Sequence, residues 1–95
     1  MDLVDVFIDN NKKDIVFENE YMKVLKILNE IPAGNQNHVK RVQLVIWKSK
    51  ETDIPDIDIR GFSKFDNSYK KGITLTINEA KLVYETLKDF FENKN

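Results

Sequence analysis

The C-terminal third of the chain carries the pattern that most restricts its fold, a set of apolar residues at helical spacing. They fall at offsets 0, 3, 4, 7, 10 and 11, which is one stripe of a helix with 3.6 residues per turn. The stripe consists of Ala80, Val83, Tyr84, Leu87, Phe90 and Phe91. In front of it, Thr76 and Glu79 have the spacing of a capping box, in which each side chain bonds the other residue's backbone amide. The pattern predicts a capped amphipathic helix.

This stripe is wider than one small sheet should need to cover its core. A monomer would leave part of it exposed, and large exposed apolar patches are typical of interfaces. We therefore expect an obligate homodimer, with Val83, Leu87, Phe90 and Phe91 at the dimer interface.

Upstream of the helix, three segments alternate apolar and polar residues as half-buried strands do. They are residues 38–48, 54–62 and 70–75, and polar loops at 49–53 and 63–69 separate them. Residues 15–31 fit a helix or a strand equally well, and the Ile-Pro-Ala-Gly run at 31–34 should end either element. We expect residues 1–14 to form an acidic arm or an extra edge strand, and residues 15–95 to form one domain.

Alternation places cations and aromatic rings together on one face of two strands. Arg41, Gln43 and Trp47 oppose Val42, Leu44 and Ile46 on the first strand, and Arg60 and Phe62 oppose Ile57 and Ile59 on the second. If the aliphatic faces turn toward the helix, the other face shows arginine, tryptophan and phenylalanine to solvent. Cations that contact phosphates and flat rings that stack on bases are what a single-strand binder needs.

Charge and composition limit the partners and the chemistry. The net charge is −1, yet residues 38–72 hold eight Lys and Arg against five acids, a net of +3. The chain has no cysteine and one histidine, His38, which excludes disulfides, cysteine-ligated metals and any scheme that needs two histidines. No apolar run is long enough to span a membrane and the acidic start is not a signal peptide, so we expect a soluble intracellular protein without a membrane partner.

Two short motifs carry a resemblance to a known family. The segment DIRGF at residues 58–62 is followed by a polar loop, by KKGITLT at 70–76 and by the amphipathic helix. This order resembles the positive cofactor four family of transcriptional coactivators, and more closely its short bacterial and phage relatives. The resemblance implies an α+β fold with a curved four-stranded antiparallel sheet and one C-terminal helix, assembled as a homodimer. It also implies single-stranded-DNA binding across the sheet, largely without sequence preference.

The resemblance assigns individual contact residues. Arg60 takes the place of the family's arginine in Asp-Ile-Arg, Phe62 that of its aromatic residue, and Lys71 that of the lysine before the glycine. The resemblance places Trp47, Lys48 and Lys50 at a hairpin tip where relatives carry an aromatic and basic residues. From alternation, Arg41 joins them, so that Arg41, Lys48, Lys50, Arg60 and Lys71 are the expected nucleic-acid-binding cations, and Trp47 and Phe62 the stacking rings.

We expect a non-enzymatic DNA-binding protein that acts in transcription regulation, replication or repair, with RNA left open as a second ligand. No phosphate loop, dinucleotide fingerprint or nucleophile elbow occurs, and no cofactor, metal or small-molecule substrate is expected. Asp56 and Asp58 share a strand face and could hold magnesium near Lys64 or Lys71, but an ion-pair ladder is the commoner use of such residues. A protein–protein interaction module on the same face remains the alternative, because the first third is acidic. The expected location is the cytoplasm for a bacterial or phage-encoded protein, and the nucleus for a eukaryotic one.

Overall fold

The computed structural model describes residues 15–93. It contains five β-strands followed by one α-helix. In chain order these are β1 (Phe17–Glu18), β2 (Met22–Ala33), β3 (Asn35–Trp47), β4 (Asp56–Ser63), β5 (Ser68–Leu75) and α1 (Ile77–Glu92). The fold class is therefore α+β, as the sequence predicts. The acidic arm expected at residues 1–14 lies outside the described residues.

The strands form one open antiparallel sheet in the order β1-β2-β3-β4-β5, so that each strand pairs with its neighbour in sequence. We expected four strands and the sheet has five. The additional strand is β1, whose two residues pair with Val24 and Lys23 at the start of β2. β1 pairs with only that part of the β2 edge, so the sheet consists mainly of the four longer strands.

The ambiguous segment upstream of Gly34 is a strand, and its irregular pairing explains why the sequence also fits a helix. The register of β2 against β3 shifts between Val24 and Lys26 and again between Ile27 and Asn29. Each shift inserts an extra residue and breaks the two-residue alternation. Adjacent Val24 and Leu25 are both buried because they belong to two apolar clusters on opposite faces of the sheet. The strand continues through the proline and turns at Gly34, whose φ of +81° favours glycine.

The predicted capping box is present at the start of α1. The Thr76 hydroxyl accepts a hydrogen bond from the Glu79 amide at 3.1 Å, and the Glu79 carboxylate accepts one from the Thr76 amide at 2.9 Å. Both bonds satisfy amides that the first helical turn leaves without partners. Over residues 15–93, no helix combines the length and the apolar character that crossing a membrane requires.

The sheet buries side chains on both of its faces. On one face Leu25, Leu44 and Ile46 form a cluster against which Ile57 and Ile77 pack, and Ile77 brings the start of α1 to this face. We call it the helix face. On the opposite face lies a second cluster, Met22, Val24 and Val45, packed against Phe17, Ile27, Trp47 and Tyr69. The core is therefore split by the sheet.

Candidate nucleic-acid interface

Four of the predicted contact residues lie on the sheet face opposite α1. Arg41 of β3 pairs directly with Arg60 of β4, and Trp47 and Phe62 lie an even number of residues away on the same strands. We call this the network face, and it carries Arg41, Gln43, Trp47, Asp58, Arg60 and Phe62. Like charges directly opposite each other destabilise a sheet. The two arginines therefore need anions close by.

Asp58 supplies the anion for Arg60. Its carboxylate is fully buried, and it accepts hydrogen bonds from Arg60 Nε at 2.7 Å and from Arg60 Nη2 at 2.9 Å. It also accepts one from Gln43 Nε2 at 3.0 Å and one from the Thr74 hydroxyl at 2.8 Å. A bidentate arginine pair with further donors on the same oxygens is the arrangement that makes a buried carboxylate tolerable.

The network continues from Gln43 to the far end of the sheet. The Tyr69 hydroxyl donates to Gln43 Oε1 at 3.0 Å and accepts from Arg41 Nη1 at 2.9 Å. Arg41 Nε in turn donates to Glu30 Oε2 at 2.8 Å, and Lys64 Nζ lies 3.1 Å from Glu30 Oε1. Within residues 15–93 every buried side-chain nitrogen and oxygen has a hydrogen-bond partner. The chain of bonds therefore crosses β2, β3, β4 and β5 without a gap.

Glu30 is the second anion of the network. Hydrogen bonds from Arg41 and Lys64 hold the pKa of Glu30 below its ordinary value, so the carboxylate is charged at neutral pH. The charges of Arg41 and Arg60 are thus both balanced inside the chain. Their side chains are also about 15% exposed. Separating a buried pair leaves an uncompensated charge, which is strongly destabilising.

The two predicted stacking rings have different surroundings. Phe62 is buried, with the guanidinium carbon of Arg41 3.6 Å from its ring centroid and the Tyr69 ring 4.8 Å away. Trp47 is half-buried, and its indole N–H donates to the Thr74 hydroxyl at 3.1 Å. The guanidinium of Arg60 lies 5.2 Å from the Trp47 ring. Neither ring lies under α1, but a base reaches Phe62 only if Arg41 moves.

The predicted lysines are more accessible. Lys48 pairs with Glu18 at 2.7 Å and Lys50 with Asp56 at 2.6 Å, and the two lysine side chains are 33% and 47% exposed. The hydrogen bond from Lys48 lowers the pKa of Glu18. Lys71 is exposed, in the part of β5 where the register against β4 shifts. The Lys48–Glu18 pair is exposed and contributes little to stability, so Lys48 can exchange its carboxylate for another anion, whereas Asp56 is buried and has Lys50 as its counter-charge.

An open groove of about 540 Å³ lies beside Trp47, between the end of β3 and the loop that follows it. Its lining is mixed in charge. It contains Glu18, Lys23, Ile46, Trp47, Lys48, Lys50, Glu51, Thr52 and Asp53. The groove therefore offers a ring edge and three ammonium groups, together with three carboxylates that oppose a polyanion.

Gly72, the glycine of the family-like motif, is required by close packing. A Cβ at this position would lie 2.1 Å from the Arg60 Cβ and 2.4 Å from the carbonyl oxygen of Ile59. Its backbone φ is not in the left-handed region, so conformational freedom is not the reason for glycine. The absence of a side chain lets β5 approach the strand that carries Arg60.

Sequence reasoning did not find most of the network. Gln43 was placed on the correct face without a role, and Glu30, Tyr69 and Thr74 were not singled out. Alternation from Asp58 to Arg60 was the available signal, since residues i and i+2 share a strand face. Tyr69 does not follow from the sequence because residues 63–69 are predicted to be a loop, whereas β5 begins at Ser68 and a register shift then separates Tyr69 from the regular alternation of that strand.

The carboxylates considered for a magnesium site are already engaged. Asp58 accepts from Arg60, and Asp56 accepts from Lys50 at 2.6 Å. In the part of the chain that the structure describes, no group of three or more His, Asp or Glu side chains comes together to hold a metal ion. The two aspartates act as ion-pair partners here.

Comparison with known proteins adds no relative, because no family model matches the sequence and no curated protein matches it. The resemblance described above therefore rests on the order and spacing of its two motifs and the helix that follows them.

Proposed function

We propose that this protein is a non-enzymatic, homodimeric single-stranded-DNA-binding protein that holds the strand across the network face. The observation that carries the proposal is that Trp47 and the two arginines share the face that α1 does not cover. The start of α1 packs on the helix face, and Trp47 and the arginines lie on the opposite face beside the second apolar cluster of Met22, Val24 and Val45. Single-strand binders combine cations that follow the backbone with rings on which bases stack.

The predicted contact residues differ in exposure and in pairing, which supports different roles for them. Lys48 and Lys71 are exposed and can exchange a carboxylate or water for phosphate at little cost, whereas Lys50 is also the counter-charge of the buried Asp56. Arg60 is paired with the buried Asp58, and Arg41 is held by Glu30 in a partly buried pair, so their role is to fix the shape of the face. Trp47, which is half-exposed, is the ring best placed to stack on a base, whereas Phe62 supports Arg41 from below.

The apolar surface of α1 supports the homodimer. No residue of the helix is buried, and Val83, Leu87, Phe90 and Phe91 are between 41% and 70% exposed. Ile73 on the helix face of the sheet is also exposed. Apolar surface on both elements is typical of an interface that a second copy covers.

Fluorescence of Trp47 gives the direct test. Titration with an oligothymidine strand at low salt should quench the emission with saturable binding at micromolar protein. Affinity should fall with salt by a slope of about −0.7 for each phosphate contact on a single strand. The variants Lys48→Gln and Lys71→Gln should each reduce the slope by about that amount. Lys81→Gln, an exposed lysine on α1, is the matched control and should leave the slope unchanged.

The result that overturns the proposal is the absence of both quenching and binding at low salt. A slope that responds equally to all three lysine variants would place the strand elsewhere on the surface. Oligouridine measured alongside compares RNA with DNA, because RNA differs by its 2′-hydroxyl, which a protein can contact.

A further inference from the structure

The two halves of the sheet differ in charge. Residues 29–42 and 60–71 form the half that ends in the β2–β3 and β4–β5 turns, which we call the turn half. It holds Lys40, Arg41, Arg60, Lys64, Lys70 and Lys71 against Glu30 and Asp66, a net charge of +4. Residues 15–28 and 43–59 form the half around Trp47. It holds Lys23, Lys26, Lys48 and Lys50 against Glu18, Glu20, Glu51, Asp53, Asp56 and Asp58, a net charge of −2.

This difference in charge affects where a polyanion such as nucleic acid binds. A strand of nucleic acid is attracted to the end of the protein where cations exceed anions. Among the family-like contact residues, Trp47, Lys48 and Lys50 lie in the half whose net charge is negative, and Arg60, Phe62 and Lys71 lie in the turn half. We therefore expect an anchoring site in the turn half, where Phe62, the ring that the family-like motif assigns, is buried.

The β4–β5 turn presents such a ring. Phe65 is 82% exposed, more than any other large apolar side chain in residues 15–93. A single exposed apolar residue is ordinary, but this one is mounted on a fixed turn. The Lys64 amide donates to the Asn37 carbonyl oxygen at 2.7 Å, and the Ser68 hydroxyl donates to Asp66 at 2.6 Å. A ring on a rigid support loses little freedom when a partner covers it.

Lys64 is the cation directly beside this ring. It precedes Phe65 in the chain, and its pair with Glu30 is half exposed, so phosphate can replace the carboxylate. Lys40 and Lys70 flank Gly61 on the helix face and add to the positive charge of the turn half. A flat ring next to an exposed cation is complementary to a nucleobase and its phosphate.

We propose that Phe65 is a base-stacking platform and that the turn half anchors the single strand, with Lys64 on the neighbouring phosphate. This inference rests on the proposed function and adds to it a site that lies at the opposite end of the sheet from Trp47. A bound strand would then lie along β3 and β4, between two rings.

The test compares three substitutions at one position by the anisotropy of a labelled oligothymidine strand. Phe65→Ala should weaken binding by about fivefold or more, the lower end of what one stacked base contributes. Phe65→Leu should weaken it similarly because it keeps apolar area without a flat face, while Phe65→Trp should retain the affinity. Ile54→Ala removes an apolar side chain in the acidic half that is 70% exposed, and it should have no effect.

Three results overturn the proposal. Unchanged affinity of Phe65→Ala, or full affinity of Phe65→Leu, would remove stacking as the reason for the exposed ring. A change in the molar mass of Phe65→Ala by light scattering would assign the ring to a contact between copies. Failure of the unsubstituted chain to bind would instead overturn the proposed function, and with it this site.

Discussion

Arg60 holds both carboxylate oxygens of Asp58, two residues earlier on the same strand, at 2.7 and 2.9 Å. The pair fixes the guanidinium beside the Trp47 ring and opposite Arg41. Because Asp58 also accepts from Gln43, the pair is the centre of the network that crosses four strands. The network face is therefore a fixed hydrogen-bond network, and the more accessible positive charge lies on lysines at its margins.

The substitution Asp58→Asn tests the role of this carboxylate in stability. The amide keeps the shape but leaves Arg60 buried without a counter-charge, so we expect the free energy of unfolding to fall by about 3 kcal/mol. Urea denaturation followed by circular dichroism measures it. Asp53→Asn, at an exposed loop position, is the control and should change little. If Asp58→Asn were as stable as the parent, the hydrogen-bond network would not be needed for the stability of the fold.

Two glycine substitutions separate steric crowding from backbone strain. At Gly72 an alanine Cβ would meet the backbone and Cβ of β4, so we expect a loss of about 3 kcal/mol or more. At Gly34 the space is open but φ is +81°, so the expected loss is about 1 kcal/mol. Thermal unfolding of the two variants should rank Gly72→Ala as the less stable. The reverse order would contradict the close approach of β5 to Arg60.

The loss of folding stability at acidic pH should depend on Glu30. The pKa of this carboxyl is lower in the folded chain than in the unfolded one, because Arg41 and Lys64 bond to its charged form. Its contribution is therefore present above the ordinary value of 4.5 and is lost as the pH falls through the folded value. Glu30→Gln should be less stable than the parent at pH 7 and should differ less from it at pH 3. An equal difference at both pH values would show that the charge of Glu30 is not involved.

The homodimer is tested by a pair of neighbouring substitutions on α1. Leu87→Glu places a charge in the apolar stripe, whereas Lys88→Glu places the same charge beside the stripe. We expect Leu87→Glu to give a monomer by light scattering and Lys88→Glu to leave a dimer, because only the first charge would be desolvated at the interface. A parent chain that is monomeric at 11.2 kDa would contradict the dimer itself.

The parts of this structure that follow regular periods were predictable from the sequence. Helix α1 and its Thr76 cap follow from a 3.6-residue stripe, and β3 and β4 from alternation. β2 was not, because register shifts at Val24–Lys26 and Ile27–Asn29 interrupt its alternation, so no fixed period describes the whole strand. The ion-pair ladder of Asp56 and Asp58 could be anticipated from the sequence, whereas the partners of Arg41 could not, for a related reason. Partners such as Glu30 and Tyr69 are distant in sequence, and only the strand register brings them to Arg41.

The central claim is that a single strand lies across the network face. The most direct test is an NMR titration of nitrogen-isotope-labelled protein with oligothymidine, in which the backbone amide and indole N–H signals are followed. We expect the largest shifts at the indole N–H of Trp47, at Lys71 and at the turn around Phe65. The amides of α1 should shift little. Shifts confined to α1, or none at saturating strand and low salt, would contradict the claim.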